Sequence, residues 1–416
     1  MKDNYFKQNG KFYYGWVNVL LAFLLMTFSY VSFLSLTTVF VIPVTTDLDI
    51  SRSEFLLYST ILSISGIIAL AVIGDRMAKG NIKRYMSAAL ALAGIAFLGF
   101  SQATEAWHFY MWSAAMGVSF VMTTVMPISV VLNLWFGGKI KGRAKGAAFT
   151  GSGFGGVMMI PIVNYIVTAF GWRIGYMVVA GIFLLLLLPL VAIFLKKFPE
   201  QKGFVRMGQK DDEKDFNSAG GMTLKEAWKN PMLYLILLSI IIFVFCSTGI
   251  LMNSTAFYID TGFSPANAAL FASFTVGALI IGKLSMGWIS DKFGAKAGAI
   301  SACLIFSGAF LSLALLPINP WIFIPFVILC YGIGGGGITV NPPLMTNRLF
   351  GEKDYGKIIS VLTMGNNIGG AFGGTVAAWI FDVSGSYRAF WIIAATAMIV
   401  AAAARIAAFR IKKKYE

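Results

Sequence analysis

A lysine at position 283 stands inside an apolar stretch, eight residues before the pair Asp291-Lys292. At 1.5 Å rise per residue it lies about 12 Å up a helix from that pair. An ammonium held at the centre of a membrane helix costs roughly 2.5–3.5 kcal/mol, so a retained one marks a functional group by default. The chemistry it offers is neutralisation of a single negative charge. The competing reading is a side chain that snorkels along its four-carbon stem to the interface. Uncharged polar groups stand in other apolar stretches: Thr38, Asn253, Thr339, Asn341, Asn366 and Asn367. Each either orients a small solute or ties one helix to another, a contact worth about 0.6 kcal/mol on average. Lys283, Asn366, Thr339, Asn253 and Thr38 make up the candidate substrate-binding set. Asp47, Asp49, Glu54, Glu105, Asp260 and Asp382 all fall at the ends of apolar runs, so a carboxylate relay in the middle of the membrane is not legible. No nucleophile stands with a base, and Cys246, Cys303 and Cys330 lack metal-ligand spacing. Neither an enzyme nor a metal or other cofactor is expected.

The elements that must position these groups are membrane helices. The chain has 416 residues, of which 58% are hydrophobic and 12% charged, whereas soluble domains carry about 25% charged residues. Crossing a hydrocarbon core takes about 20 apolar residues. Twelve such runs stand between polar breaks, at 13–43, 53–74, 84–103, 106–136, 143–169, 172–195, 231–259, 264–290, 296–316, 320–349, 356–381 and 386–409. The first follows Lys2, Lys7 and Lys11 but is too long for a signal peptide and lacks a small-residue cleavage site, so it reads as a retained helix. The predicted class is an all-α membrane protein of twelve transmembrane helices in two six-helix bundles. The net charge of +15 does not point to nucleic acid, because 29 of the 33 Lys and Arg residues fall in alternate loops. That asymmetry predicts both termini in the cytoplasm. Arg405, near the end of the last run, is expected to snorkel to the headgroups. His108, the single histidine, has no assigned role.

The two halves share their punctuation. Asp75-Arg76 matches Asp291-Lys292, Phe136-Gly137 matches Phe350-Gly351, and Gly171-Trp172-Arg173 matches Ser386-Tyr387-Arg388, at offsets of 216, 214 and 215 residues. A duplicated six-helix unit explains this spacing, and such repeats commonly bracket a central site. The expected organisation is a bundle over 1–195, a cytoplasmic linker over 196–230 and a second bundle over 231–416. Thr223-Leu-Lys-Glu226 fits a capping box, which predicts a short interfacial helix before Pro231. The glycine clusters 332–337 and 365–374 lack the strand and Lys-Ser/Thr of a phosphate loop. They read as sites of close packing and bending.

These residues resemble the major facilitator superfamily. Gly74-Asp-Arg-Met-Ala-Lys-Gly-Asn-Ile-Lys-Arg84 is similar to a degenerate form of that superfamily's loop 2–3 signature, and Gly287-Trp-Ile-Ser-Asp-Lys-Phe-Gly294 is a closer copy. The resemblance implies gating roles for Asp75, Arg76, Asp291 and Lys292, which would lock the cytoplasmic helix ends when the carrier faces outward. A narrower resemblance, to the monocarboxylate porter and oxalate-formate antiporter branch, rests on four strings. They are Tyr14-Gly-Trp16, Trp135-Phe136 with Lys141-Gly-Arg-Ala-Lys-Gly146, Gly151-Ser-Gly-Phe-Gly-Gly156, and Phe350-Gly-Glu-Lys-Asp-Tyr-Gly356. It implies that Lys283 pairs with a substrate carboxylate. Two departures qualify the substrate. Leu279 occupies the place of an Asp tied to proton coupling. Asn366 replaces a second basic residue of the oxalate pattern, which favours a monoanion over oxalate. The branch's aromatic pocket positions fall on Val125, Gly335 and Thr339, all smaller, which predicts room for a lactate-, pyruvate- or branched-chain-like acid. The expectation is a monomeric secondary carrier of a small organic anion in lipid, working by anion exchange or proton coupling in a bacterial inner membrane. The alternatives are a carrier of neutral or cationic solutes and a non-transporting nutrient sensor. A channel is disfavoured by the lack of pore-lining charge rings.

Overall fold

The computed structural model describes residues 6–8, 10–208, 221–351 and 353–415, apart from a few side chains that include Asp75. Twelve long helices dominate. In the first half they are α1 (Gly15–Leu48), α2 (Arg52–Lys79), α3 (Ile82–Ser101), α4 (Ala106–Trp135), α5 (Ile140–Phe170) and α6 (Trp172–Phe194). The second half holds α7 (Pro231–Asp260), α8 (Pro265–Phe293), α9 (Ala295–Leu315), α10 (Pro320–Phe350), α11 (Tyr355–Ser384) and α12 (Arg388–Tyr415). Among the described residues, eleven of these are long and apolar enough to cross a bilayer by composition. The exception is α11, whose six glycines and Asn366-Asn367 dilute its apolarity. At 30 residues it has the length of its neighbours, and it lies between α7 and α2.

Local chemistry sets the helix starts. Asn230-Pro231, Ser264-Pro265 and Asn319-Pro320 open α7, α8 and α10. In each, the Asn or Ser oxygen accepts a free backbone N–H, and the proline occupies the first turn, where its missing donor costs nothing. At the other end of α1, Asp49 takes a left-handed conformation (φ 52°) and turns the chain toward α2.

One core cluster gathers residues from Tyr13 to Leu195, and two others run from Ala227 to Phe409. The tightest helix crossing lies in the second half. A methyl group at Gly282 would meet the Gly332 carbonyl, and one at Gly336 would meet the Gly282 backbone and the Lys283 amide. The backbones of α8 and α10 therefore touch, as small-residue membrane interfaces allow. Gly282→Val is expected to cost 1–3 kcal/mol or more by overpacking, read as a lowered melting temperature of the purified protein beside Gly287→Val, where nothing lies within 4 Å.

The linker is more ordered than its composition suggests. The Tyr13 hydroxyl donates to the Trp135 carbonyl (2.6 Å) and accepts from the Met207 amide (3.3 Å), within an aromatic cluster of Tyr13, Trp135, Phe136 and Phe204. Burial pushes the Tyr13 phenol up to about 12. Met207 bonds to the backbone on both sides of Phe136, and Gly221 bridges to Gly351. The repeated Phe-Gly landmarks thus each receive one end of the linker. Thr223 and Glu226 form the expected capping box at the start of the helix Leu224–Trp228. The Leu224 amide donates to Asp354 (2.9 Å).

Both linker carboxyls sit below the usual carboxylate range, Glu226 through its bonds with Thr223 and Asp354 chiefly through the Leu224 amide, then Lys357. A carboxyl depressed on folding stabilises above its ordinary value of about 4 and stops doing so as pH falls through its lower folded value. Hydrogen exchange at the Leu224 amide, corrected for its intrinsic rate, should therefore be flat from neutral pH to about 5 and accelerate below about 4. Asp354→Asn should remove most of that acceleration.

Candidate functional site

The end of the bundle that carries the Lys- and Arg-rich loops is called the basic end here, and the other the opposite end. Contacts between the halves concentrate toward the opposite end. Arg52, at the start of α2, makes a bidentate pair with Asp260 of α7 (2.5 and 2.8 Å). Its guanidinium lies 3.9 Å over the Phe381 ring and donates to the Tyr387 hydroxyl. Asp382 of α11 accepts the Arg52 and Ser53 amides (3.2 and 2.8 Å), closing the α2 N-terminus from the other half. One level deeper, the Thr60 hydroxyl donates to the Ala371 carbonyl (2.7 Å) and meets Thr375 (2.9 Å). Thr38 accepts the Thr255 amide (2.8 Å) and lies 3.3 Å from the Ser254 hydroxyl. Thr38 is therefore part of the seal between α1 and α7.

Below that level the halves part. Ile64, Ile68 and Val72 continue the face of α2 that carries Thr60, one turn apart, yet Ile68 and Val72 are 59% and 58% exposed. On α11, Ile368 and Met364 continue the face of Ala371, and Met364 is 55% exposed. The crossing of α5 and α8 behaves alike. Gly153 packs on Ile280, Gly156 on Val276 and Gly277 on Val157, whereas Gly146 and Gly287, nearer the basic end, have nothing within 4 Å. A cleft opens between the halves toward the basic end.

Lys283 lies three residues beyond Ile280, on the face of α8 that has just left α5. It is half-buried, and no hydrogen bond or ion pair reaches its ammonium from the described residues. Asn366 and Asn367 are likewise half-buried and without hydrogen-bond partners among the described residues; Asn367 lies one turn from Ala371 toward the basic end. Thr339 is exposed, three residues past Gly336 at the α8–α10 crossing, and makes only a bond within its own helix to the Gly336 carbonyl (3.4 Å). These groups flank the cleft.

Asn253 is placed otherwise. Its amide donates to the Gly249 and Gly374 carbonyls (2.9 and 3.0 Å) and accepts the Tyr387 hydroxyl (3.0 Å). It is a hub among α7, α11 and α12, with its polar atoms engaged. Asn341 donates to the Gly298 carbonyl and turns toward α9. The expected room at Gly335 is filled, because Leu279, Phe306 and Tyr331 crowd the position a side chain would take; Val125, by contrast, is exposed. Arg405 does not snorkel. It is 2% exposed, donates to the Ser239 hydroxyl and the Ala299 carbonyl (2.6 Å each), and lies over Phe243. Its two hydrogen bonds and the ring face compensate its charge inside the second bundle.

Two tyrosines were not singled out by sequence. Tyr30 ends a π-helical stretch of α1 (Leu25–Tyr30), a local irregularity that often marks functional positions. Its hydroxyl has no hydrogen-bond partner among the described residues. Tyr331 of α10 bonds to Ser247 (3.2 Å) and lies within electrostatic range of Tyr30 across the two halves. Helix α4 breaks nearby at Thr124, and discontinuous helices are common beside carrier sites. Neither irregularity has a proline or glycine at its own position to announce it.

The residues expected to gate the basic end are apart. Arg76 and Asp291 are exposed and make no ion pair among the described residues. The Lys292 ammonium lies 4.9 Å over Trp288, and the Asp75 side chain is outside the described residues. This fits an open basic end, where a lock would be undone.

Residues 19–346 and 259–415 match the profile of the Major Facilitator Superfamily. The chain belongs to that superfamily. It is an integral membrane transporter of the major facilitator fold, an all-helical protein. This facilitator is 23% identical over 336 residues to monocarboxylate transporter 12 of Mus musculus, covering 74% of this chain and 68% of the mouse protein. A shorter segment of 132 residues is 31% identical to a gentisate transporter of Corynebacterium glutamicum, 31% of this chain and 28% of that protein. In architecture it is similar to a bacterial homolog of the human lysosomal transporter Spinster, with a TM-score of 0.72 over 96% of this chain and 98% of that one, at 15% identity. That likeness concerns the fold alone.

Proposed function

We propose that this facilitator moves a small organic monocarboxylate across a membrane by alternating access, with Lys283 as the counter-charge of the carboxylate. The observation that carries the reading is the unpartnered, half-buried Lys283 ammonium on the face of α8 where α5 and α8 separate. A cation there is costly unless an anion visits it. A single cation suits a single carboxylate, and Asn366 offers hydrogen bonds where a second charge would be needed for a dicarboxylate. Tyr30, Thr339 and Asn367 are positioned to receive the remaining polar groups of such an acid. The names of the relatives support the class, since gentisate also carries one carboxylate.

The basic end is read as cytoplasmic from the loop charges, in a bacterial cytoplasmic membrane. The structure then corresponds to an inward-open carrier, with Arg76, Asp291 and Lys292 re-engaging when it turns outward. Leu279 and the end positions of the acids leave Lys283 or the substrate itself as the proton-carrying group if transport is proton-coupled. Anion exchange needs no such group.

Competition in proteoliposomes tests the substrate class. Excess lactate, pyruvate or a branched-chain 2-oxo acid should inhibit uptake of a labelled monocarboxylate. Oxalate, malonate and the corresponding neutral amides should not. Supplying an internal anion or a pH gradient separately identifies the coupling. Inhibition by amides as strong as by acids would contradict a charge-recognising site.

A further inference from the structure

A second positively charged recess lies away from the cleft, at the basic end of the first bundle. It encloses about 300 Å³ between the start of α3 and the chain leaving α6, and Lys83, Lys196, Lys197, Lys202, Asn81 and Gln201 line it. That volume is at the lower limit of small-ligand sites, about 300–1,000 Å³. Glu200, the single acid between residues 196 and 208, is absent from the lining and acts on Tyr13 instead.

The recess is built rather than incidental. The Lys196 carbonyl accepts the Trp135 indole N–H (2.9 Å) and the Asn18 amide (3.0 Å), and the Lys196 N–H returns to Asn18 (3.3 Å). The Lys197 ammonium donates to the Gly80 carbonyl (2.8 Å), fixing the α6 exit against the loop before α3. Lys202 lies 5.0 Å over the Tyr14 ring. The N-terminus of the 20-residue α3, capped by Asn81, opens into the same space and adds its dipole to the lysines. Immediately beside it, Ile193, Phe194 and Phe198 present exposed apolar side chains, at the level where α6 leaves the hydrocarbon.

We propose that this recess binds the phosphate of an anionic membrane phospholipid, with the lysines around the headgroup and the acyl chains along the Ile193–Phe198 surface. Positive-inside bias accounts for lysines at this end, but it does not account for four of them around one enclosed space with an apolar flank. The shared chemistry is a phosphate ester. The apolar flank assigns it to a lipid rather than to a soluble metabolite.

Native mass spectrometry of the purified full chain tests this with phosphatidylglycerol, phosphatidylcholine and sn-glycerol 3-phosphate as separate probes. Phosphatidylglycerol should be retained at about one per chain. The double variant Lys196→Gln/Lys202→Gln should weaken it about tenfold, at roughly one charge-contact equivalent per lysine. The control pair Lys225→Gln/Lys229→Gln removes the same charge from the linker helix at the same end and should change retention less than about twofold. Unchanged melting temperatures keep the comparison independent of folding. Equal losses in both pairs, or equal retention of phosphatidylcholine, would overturn the site. Glycerol 3-phosphate binding as tightly as the lipid would overturn the membrane source.

Discussion

Lys283→Gln should raise the half-saturating concentration of a bound monocarboxylate by roughly 30-fold or more, because truncating one partner of a buried charge pair costs 2–5 kcal/mol. Lys283→Arg, which keeps the charge with a bulkier head, should retain part of the affinity. The melting temperature of the glutamine variant should be unchanged or higher, since a half-buried cation without a partner among the described residues is being removed. Equilibrium binding of a labelled acid to the three purified proteins separates these effects. If Lys283 merely snorkels, affinity will not move and the site must be sought elsewhere in the cleft.

Arg52→Ala is expected to have the second-largest effect, on conformation rather than affinity. This one guanidinium joins Asp260 and the Phe381 ring of the second half to the first turn of α2, and the pair is mostly shielded, at 14% and 28% side-chain exposure. Losing it should shift the equilibrium toward a state open at the opposite end by about 2 kcal/mol, or roughly 30-fold. Spin labels at Gln102 and Ile318, both exposed at that end in different halves, report the change as a growing long-distance population. Identical distance distributions in wild type and variant would remove Arg52 from the gate.

Much of this arrangement was legible from residues alone, and the physical reason is that membrane helices advertise themselves locally. Apolar run length, Asn-Pro and Ser-Pro starts, and loop charge fix helix positions without reference to tertiary contacts. Lys283 stood out because hydrocarbon makes a lone cation conspicuous. The repeated Phe-Gly landmarks signalled duplication, and the structure gives each a linker end to hold. What escaped is what depends on rotation and pairing between distant segments. Arg52 meets partners 208 and 330 positions away, and nothing in a polar loop identifies them. Arg405 looked like an interfacial residue because its sequence position is near a helix end, but the rotation of α12 turns it inward to Ser239 and Ala299. Gly335 suggested space, whereas Leu279 from the neighbouring helix occupies it. A glycine in sequence does not say whether its missing side chain leaves a void or admits a neighbour. The start of the linker read as flexible because its composition is polar, while Tyr13 and Trp135, far from it in sequence, pin it down.

The central claim is that a carboxylate crosses the membrane by way of Lys283. Its most direct test is uptake of a labelled monocarboxylate into proteoliposomes containing wild type or Lys283→Ala at matched protein content and orientation. The account predicts saturable uptake by wild type that falls to the protein-free level in the variant. Equal uptake by both would contradict it, while leaving the twelve-helix facilitator fold in place.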